Sequence, residues 1–225
     1  RREQPVAMIF DEEFAELVAE GAAGLLRYVA WHDGERPAGA DPTLEQLIAR
    51  GSTRPLPPPA EPGRVTILTS GTTGTPKGAN RSLPKSPLVS AGLVDRIPYR
   101  AEQKMMVAAP LFHSWGYAHF TVGMLLGSTL VLQRRFSPEA MLEAVARERC
   151  QSLIVVPVML QRTLELPAGA IERHDLSSLE LIAASGSALP GPLAIEVMDR
   201  IGDVLYNLYG STEVAWATIA TPEEL

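Results

Sequence analysis

Short apolar runs alternate along the chain with longer segments in which apolar residues recur every three or four positions. The short runs are typical of buried strands, and the longer period is typical of helices that bury one face. The pattern predicts strands at residues 6–10, 26–31, 65–69, 105–109, 129–132, 153–156, 181–184 and 204–207. It predicts helices at residues 12–21, 43–50, 117–126, 138–149, 158–165 and 193–201.

Strands that alternate with helices of about ten residues indicate βαβ units, so the sequence predicts an α/β fold with mainly parallel sheets flanked by helices. Two helix starts carry capping signals. Asp11 precedes the first helix, and Thr43 with Gln46 has capping-box spacing at the second. Residues 52–63 contain five prolines and predict an extended connector.

Composition narrows the classes of partner. The 225 residues carry a formal charge of −6, so no basic surface argues for nucleic-acid binding. No apolar run approaches the roughly 20 residues of a membrane span, although peripheral membrane contact stays open. The one cysteine, Cys150, forms no intramolecular disulfide, fits a cytoplasmic protein and is predicted to pack in the core. The oligomeric state is left open.

The stretch TSGTTGTPKG, residues 69–78, begins at the end of a predicted strand and contains no large apolar side chain. Glycines let backbone N–H groups converge on one anion, hydroxyls add donors, and a lysine adds charge, which together predict a phosphate-binding loop. A Walker A loop is excluded because Lys77 follows Pro76 and precedes Gly78. The glycine spacing also excludes a dinucleotide fingerprint. The alternative to a phosphate-binding loop is a flexible surface loop with no binding role.

Three further blocks carry candidate chemistry. In APLFHSWG, residues 109–116, His113 could be a packed core histidine, a gate or a base. In VLYNLYGSTEVA, residues 204–215, an amide, a ring, a hydroxyl and a carboxylate follow one another around a glycine turn. In ASGSALPGPL, residues 184–193, Ser187 is not a hydrolase nucleophile because Ser185 stands where that motif needs glycine.

Glu213 makes sense as a Mg²⁺ ligand, because a carboxylate facing a bound triphosphate needs an intervening cation. Tyr209 offers a flat face to a purine, and Asn207 offers an amide to its edge. Each has an ordinary alternative: Tyr209 as a sheet aromatic and Glu213 as a solvated loop acid.

These blocks, in their order along the chain, resemble those of the adenylate-forming superfamily, which includes acyl-CoA synthetases, peptide-synthetase adenylation domains and luciferases. The resemblance spans roughly residues 6–225 and implies two incomplete α/β lobes of the family's large N-terminal domain. We expect residues 1–85 to form part of the first lobe, ending in the phosphate loop, and residues 86–225 to form the second. We expect a piece of a longer protein, without the ribose-binding aspartate and the C-terminal domain with its catalytic lysine, and therefore inactive alone.

The resemblance implies a fatty acyl-CoA ligase, which joins a carboxylic acid to ATP as an acyl-adenylate and transfers the acyl group to coenzyme A. Its implied catalytic residues are Lys77, Thr212 and Glu213, with Mg²⁺ held by Glu213 and Thr73. The acyl and CoA gate would comprise His113, Trp115 and Gly186. The implied ATP and AMP site comprises Thr69, Ser70, Gly71, Thr72, Thr73, Gly74, Lys77, Gly186, Ser187, Ala188, Asn207, Tyr209, Gly210, Ser211 and Thr212.

Two other functions stay open. One is an adenylation domain for an amino acid or an aryl acid. The amino-acid version is disfavoured because no clear acidic counterpart for a substrate ammonium stands between Trp115 and Arg134. The other is a non-catalytic nucleotide-binding remnant that acts as a regulatory or interaction module.

Overall fold

The computed structural model describes residues 5–37, 39–60, 65–69, 77–79, 88–210 and 217–225. The chain forms two compact units, residues 1–63 and 64–225. The lobe boundary expected at residue 85 lies outside the described residues and stays a prediction. The division between the two compact units lies at the end of the proline-rich connector.

The smaller unit contains one parallel βαβ crossover. Strands β1 (Ala7–Asp11) and β2 (Leu26–Trp31) pair in parallel, with a register shift between Phe10 and Asp11. Between them lie a 3₁₀ turn (Glu12–Phe14) and helix α1 (Ala15–Gly21). The crossover encloses a small core. That core consists of Phe10, Val18, Ala22 and Val29.

Helix α2 (Leu44–Arg50) begins as the sequence predicts. The Thr43 hydroxyl accepts a hydrogen bond from the Gln46 N–H, and the Gln46 side chain accepts one from the Thr43 N–H, each at 3.1 Å. The capping role of Asp11 is wrong, because its side chain makes no capping hydrogen bond and the chain first enters a 3₁₀ turn. Residues 51–60 are exposed and contain no helix or strand, which agrees with an extended connector.

In the described part of the larger unit, six strands form one sheet in the order β10-β9-β8-β7-β5-β6. All neighbours pair in parallel except β10, which is antiparallel to β9. The strands are β5 (Lys104–Val107), β6 (Thr129–Leu132), β7 (Ser152–Val155), β8 (Leu181–Ala184), β9 (Leu205–Tyr209) and β10 (Thr218–Ala220). The helices are α3 (Leu88–Arg96), α4 (Ser114–Leu125), α5 (Pro138–Glu148), α6 (Pro157–Leu164) and α7 (Gly191–Ile201).

Helices cover both faces of this sheet. Successive strand residues point to opposite faces of the sheet and enter two different cores. Met106 packs with α5, α6 and α7. Met105 and Val107 pack with α4 and with the segment that follows α3. This arrangement confirms the predicted α/β fold with a mainly parallel sheet. In the part of the chain that the structure describes, every helix is too short or too polar to cross a bilayer.

Most predicted elements are confirmed with shifts of one to three residues at their ends. Helix α4 begins at Ser114 rather than at residue 117. Strands β4 (Lys77–Ala79) and β10 and helix α3 were not predicted, since the strands are three residues long and α3 carries glycine and serine among its apolar positions.

Gly116 lies where the first turn of α4 packs against the loop after β5. A Cβ built at this position would lie 2.3 Å from the Pro110 carbonyl oxygen and 2.6 Å from that of Ala109. Both neighbours are backbone atoms, so α4 or the loop would have to move to admit a side chain.

We predict that Gly116→Ala lowers the free energy of unfolding by about 2 kcal/mol or more, because overpacking against backbone forces strain. Gly191→Ala is the matched control, since a Cβ at the start of α7 meets nothing within 4 Å. Urea unfolding of both variants and the wild type measures the effect. Equal stability of the two variants would show that the contact is not limiting.

Candidate functional site

The sheet reverses its winding at β5. The chain proceeds from β5 to β6 on one side and then returns to β7 on the other side of β5. In open α/β sheets, ligands bind at such a switch point, outside the carboxyl ends of the strands. Here that edge carries residues 108–113 after β5, residues 156–157 after β7, residues 185–190 after β8 and Gly210 after β9.

Several predicted site residues lie at this edge. Gly186, Ser187 and Ala188 are exposed in the segment after β8. Gly186 has φ +98°, a conformation that glycine adopts readily, and a Cβ there would lie 3.2 Å from Val156 Cγ1. The segment therefore needs glycine at this position to pass close to the end of β7.

Asn207 and Tyr209 lie on the same face of β9, two residues apart. The Oδ1 atom of Asn207 is buried and has no hydrogen-bond partner among the described residues. Asn207 pairs in register with Ala184, the last residue before the exposed segment after β8. The Tyr209 ring is 70% exposed at the end of its strand. The edge thus has an unpaired amide oxygen just below its surface, beside an accessible aromatic face.

The two ends of the predicted phosphate loop, Thr69 and Lys77, belong to the strands of a hairpin. Strands β3 (Ile67–Thr69) and β4 (Lys77–Ala79) pair antiparallel, with Thr69 directly opposite Lys77. A Walker A lysine stands at the start of a helix, whereas Lys77 begins a strand, so the exclusion of that motif is confirmed. The predicted site residues between the two strands lie outside the described residues: Ser70, Gly71, Thr72, Thr73 and Gly74.

The predicted metal ligands cannot be placed. Ser211, Thr212 and Glu213 also lie outside the described residues. The described ranges contain no cluster of three or more His, Cys, Asp or Glu side chains that could hold a metal ion. The roles of Thr73 and Glu213 stay predictions.

His113 is exposed at the N-cap of α4, and its ring lies 4.6 Å from that of Phe112. The alternative of a packed core histidine is therefore wrong for His113, because the residue is exposed. The gate and the base both stay open.

The buried histidine is His119, which the sequence analysis did not single out. Its Nδ1 lies 3.0 Å from the Trp115 carbonyl oxygen, and its Nε2 lies 2.5 Å from the Tyr99 hydroxyl. Its ring also meets the Trp115 ring edge-on at 4.1 Å. Trp115 and His119 are one helical turn apart, and this spacing is the sequence signal that could have found the pair.

Trp115, assigned to the gate, is buried in the core beneath the sheet edge. Its indole N–H donates to the Val155 carbonyl oxygen at 2.9 Å, and the Ser185 N–H reaches the same oxygen at 3.4 Å. The structure therefore brings Trp115 and Gly186 together through the end of β7, with Trp115 below and Gly186 at the surface. A moving Trp115 would have to break this hydrogen bond, so its gate role stays a prediction.

Cys150 is fully buried between α5 and β7. Burial raises the pKa of its thiol to about 11. Because the thiolate is the reactive form, the buried and protonated thiol is unreactive in the folded protein. The predicted packing role of Cys150 is confirmed by its burial.

Burial lowers the pKa of His119 to about 4, partly offset by its hydrogen bond to the Trp115 carbonyl. The ring is therefore neutral near pH 7. Since its Nδ1 faces a carbonyl, Nδ1 carries the proton, and Nε2 accepts a hydrogen bond from the Tyr99 hydroxyl.

We predict that the stability of the larger unit falls as the pH falls from about 6.5 to about 4. In this window the unfolded chain protonates His119 and the folded chain does not, so acid favours unfolding, by roughly 3 kcal/mol at full effect. Urea unfolding at pH 7 and pH 4.5 measures the change in the wild type and in His119→Gln, which cannot titrate. An equal loss of stability in both proteins would contradict the prediction.

The chain matches the family of AMP-binding enzymes over residues 6–225. Indoleacetate–CoA ligase from Aromatoleum aromaticum is 32% identical over 222 residues, which cover 89% of this chain and 43% of that protein. Feruloyl-CoA synthase from an Amycolatopsis species is 33% identical over 210 residues, which cover 92% of this chain and 40% of that protein. Medium-chain fatty-acid–CoA ligase from Escherichia coli is 28% identical, with 84% and 33% covered.

Solved structures give the same relationship. The amide bond synthetase McbA from Marinactinospora thermotolerans matches with a TM-score of 0.72 at 26% identity, covering 97% of this chain and 43% of that one. The ATP-bound RpMatB-BxBclM chimera B1 has a TM-score of 0.77 at 23% identity, covers 97% of this chain and 42% of that one, and shows the fold alone. The chain thus spans less than half the length of these relatives. It belongs to the AMP-binding enzyme family, and so to the adenylate-forming superfamily that its motifs resemble.

Proposed function

We propose that the protein is an ATP-dependent, AMP-forming acid–thiol ligase, which activates a carboxylic acid as an acyl-adenylate and transfers it to coenzyme A. The observation that carries this proposal is the buried Oδ1 of Asn207, which has no partner in the described part of the chain. An acceptor left unpaired in this way is destabilising. The exocyclic amino group of adenine is a donor that would satisfy it once the Asn207 side chain turns toward the edge on binding. The exposed ring of Tyr209 would stack on the purine.

Three relatives support the coenzyme A reaction, because each is named as a CoA ligase or CoA synthase. The chain spans at most 43% of their lengths. We therefore assign the activity to the complete polypeptide, and residues 1–225 alone are proposed to be inactive. We also propose that the protein is cytoplasmic.

The nucleotide would lie across the carboxyl edge of the sheet. Gly186, Ser187 and Ala188 would border the adenine and the acyl group, and Thr212 would contact the α-phosphate. The β- and γ-phosphates would be held by the loop from Thr69 to Lys77, whose two ends face each other across β3 and β4. These residues position the acid carboxylate for in-line attack on the α-phosphorus, which releases pyrophosphate.

Thr73 and Glu213 would hold Mg²⁺, because hydroxyl and carboxylate oxygens are the hard donors that this ion prefers. Bound Mg²⁺ would neutralise part of the triphosphate charge. The thiol of coenzyme A would then displace AMP, with His113 at the entrance as a gate.

The acid is proposed to be apolar, with medium- or long-chain fatty acids preferred to amino acids. Leu111, Phe112 and Val158 are exposed large apolar residues at the carboxyl edge. The described segments at this edge, 108–113, 156–158, 185–190 and 209–210, contain no Asp or Glu. A buried ammonium group without a carboxylate partner would be strongly unfavourable. Aryl acids are the second candidate, since two relatives are named for indoleacetate and feruloyl substrates.

We predict that the complete protein activates decanoate at least about tenfold faster than phenylalanine, because several kcal/mol of ammonium desolvation separate the two. Acid-dependent exchange of labelled pyrophosphate into ATP measures it, with ferulate and indole-3-acetate in the same panel. Faster exchange with ferulate than with decanoate would assign an aryl acid. Faster exchange with phenylalanine would overturn the apolar-acid proposal, and ATP binding without exchange for any acid would favour the non-catalytic remnant.

We predict that Glu213→Gln lowers pyrophosphate exchange about a hundredfold or more, with partial recovery at raised Mg²⁺, because the substitution removes the charge but keeps the size. Lys77→Ala should be milder, since backbone donors of the loop remain. The measurement is exchange against Mg²⁺ concentration for both variants and the wild type. Unchanged activity and an unchanged Mg²⁺ midpoint in Glu213→Gln would show that the metal role is misassigned.

A further inference from the structure

A buried hydrogen bond joins two separate elements beneath the site. Tyr99 belongs to the segment that connects α3 to β5, and His119 lies in the middle of α4. Both side chains are buried, and the Tyr99 hydroxyl donates to Nε2 of His119. The proposed ligase reaction assigns neither residue a role. Buried polar pairs are retained at a desolvation cost, so a purpose other than stability has to be considered for this one.

The pair leads directly to Trp115. His119 donates from Nδ1 to the Trp115 carbonyl, and its ring contacts the edge of the Trp115 indole. The indole N–H in turn donates to the Val155 carbonyl oxygen at the end of β7. A continuous chain of polar contacts therefore runs from Tyr99 through His119 and Trp115 to the carboxyl edge of the sheet.

The end of this chain meets the loop that faces ligand. The Val155 carbonyl oxygen is also reached by the Ser185 N–H, one residue before Gly186. On the same turn of α4, Gly116 packs against the carbonyls of Ala109 and Pro110, in the segment that ends at His113. Movement of the first turn of α4 would therefore displace both segments that are proposed to border the acid.

We propose that Tyr99 and His119 are positioning residues that hold Trp115 as a fixed floor under the acid side of the site. This inference rests on the proposed ligase function. The nucleotide side should be affected less, because two of its residues, Asn207 and Tyr209, lie on β9 and β8 separates that strand from β7. It shares with the acid side only the segment after β8, at Gly186. A loosened floor should therefore weaken recognition of the acid much more than recognition of ATP.

Tyr99→Phe removes one hydroxyl and keeps the ring, so it leaves Nε2 of His119 buried without a donor. His119→Gln is the conservative variant, since its side-chain oxygen can still accept from Tyr99. Thr163→Val is the matched control: it deletes a buried hydroxyl that donates to the Met159 carbonyl at 2.8 Å in α6, on the opposite face of the sheet.

The first measurement needs no activity. Hydrogen exchange of the Trp115 indole N–H, followed by NMR on the complete protein, should be at least about tenfold faster in Tyr99→Phe than in the wild type. His119→Gln should show a smaller increase, and Thr163→Val should show none. Unchanged exchange in Tyr99→Phe, or an equal increase in Thr163→Val, would overturn the positioning claim.

The second measurement addresses the acid. In Tyr99→Phe the KM for decanoate should rise about tenfold and the KM for ATP should stay within about twofold. A general loss of folded protein would lower kcat without raising one KM selectively, and Thr163→Val reports that case. Equal changes in both KM values would overturn the assignment to the acid side. A wild-type protein that activates no acid in the panel would overturn the proposed function instead, and the indole exchange would still decide the positioning claim.

Discussion

The close contact between α4 and the loop after β5 is the constraint on which the site depends. The carbonyls of Ala109 and Pro110 occupy the space that a side chain at residue 116 would need. Because glycine stands there, α4 can start at Ser114 and carry Trp115 under the end of β7. The exposed loop after β5 and the first turn of α4, which carries Trp115, thus meet in one close packing contact.

The strand order places this contact at the carboxyl edge of the sheet. Since β6 and β7 leave β5 in opposite directions, their connections diverge at the carboxyl edge and leave backbone groups there without sheet partners. Trp115 and Ser185 satisfy the Val155 carbonyl from below and from the side. Asn207, two strands away, keeps an unsatisfied acceptor among the described residues. The edge is therefore hydrogen-bonded on the side proposed for the acid and keeps an unpaired acceptor on the side proposed for the nucleotide.

The sequence predicts the parallel sheet, the capping box at Thr43 and the family, because each depends on local patterns of a few residues. It fails where the outcome depends on contacts distant in the chain. His113 attracts attention from its motif, yet it lies exposed at a helix start, and the buried partner is His119. Nothing near His119 in the sequence points to Tyr99, which is 20 residues away. Strand β10 is likewise too short to register as a pattern, and it is held by its pairing with β9.

The buried thiol of Cys150 has a practical consequence. The chain contains one cysteine, and it is enclosed by α5 and β7 with its ionisation suppressed. A maleimide or a disulfide reagent can reach this thiol only when the larger unit opens. The rate of thiol modification therefore reports the rate of opening, and no engineered probe is needed. In the folded protein the same residue stays silent. Cysteines introduced on the surface for fluorescent dyes can therefore be labelled selectively while the native one is left in place.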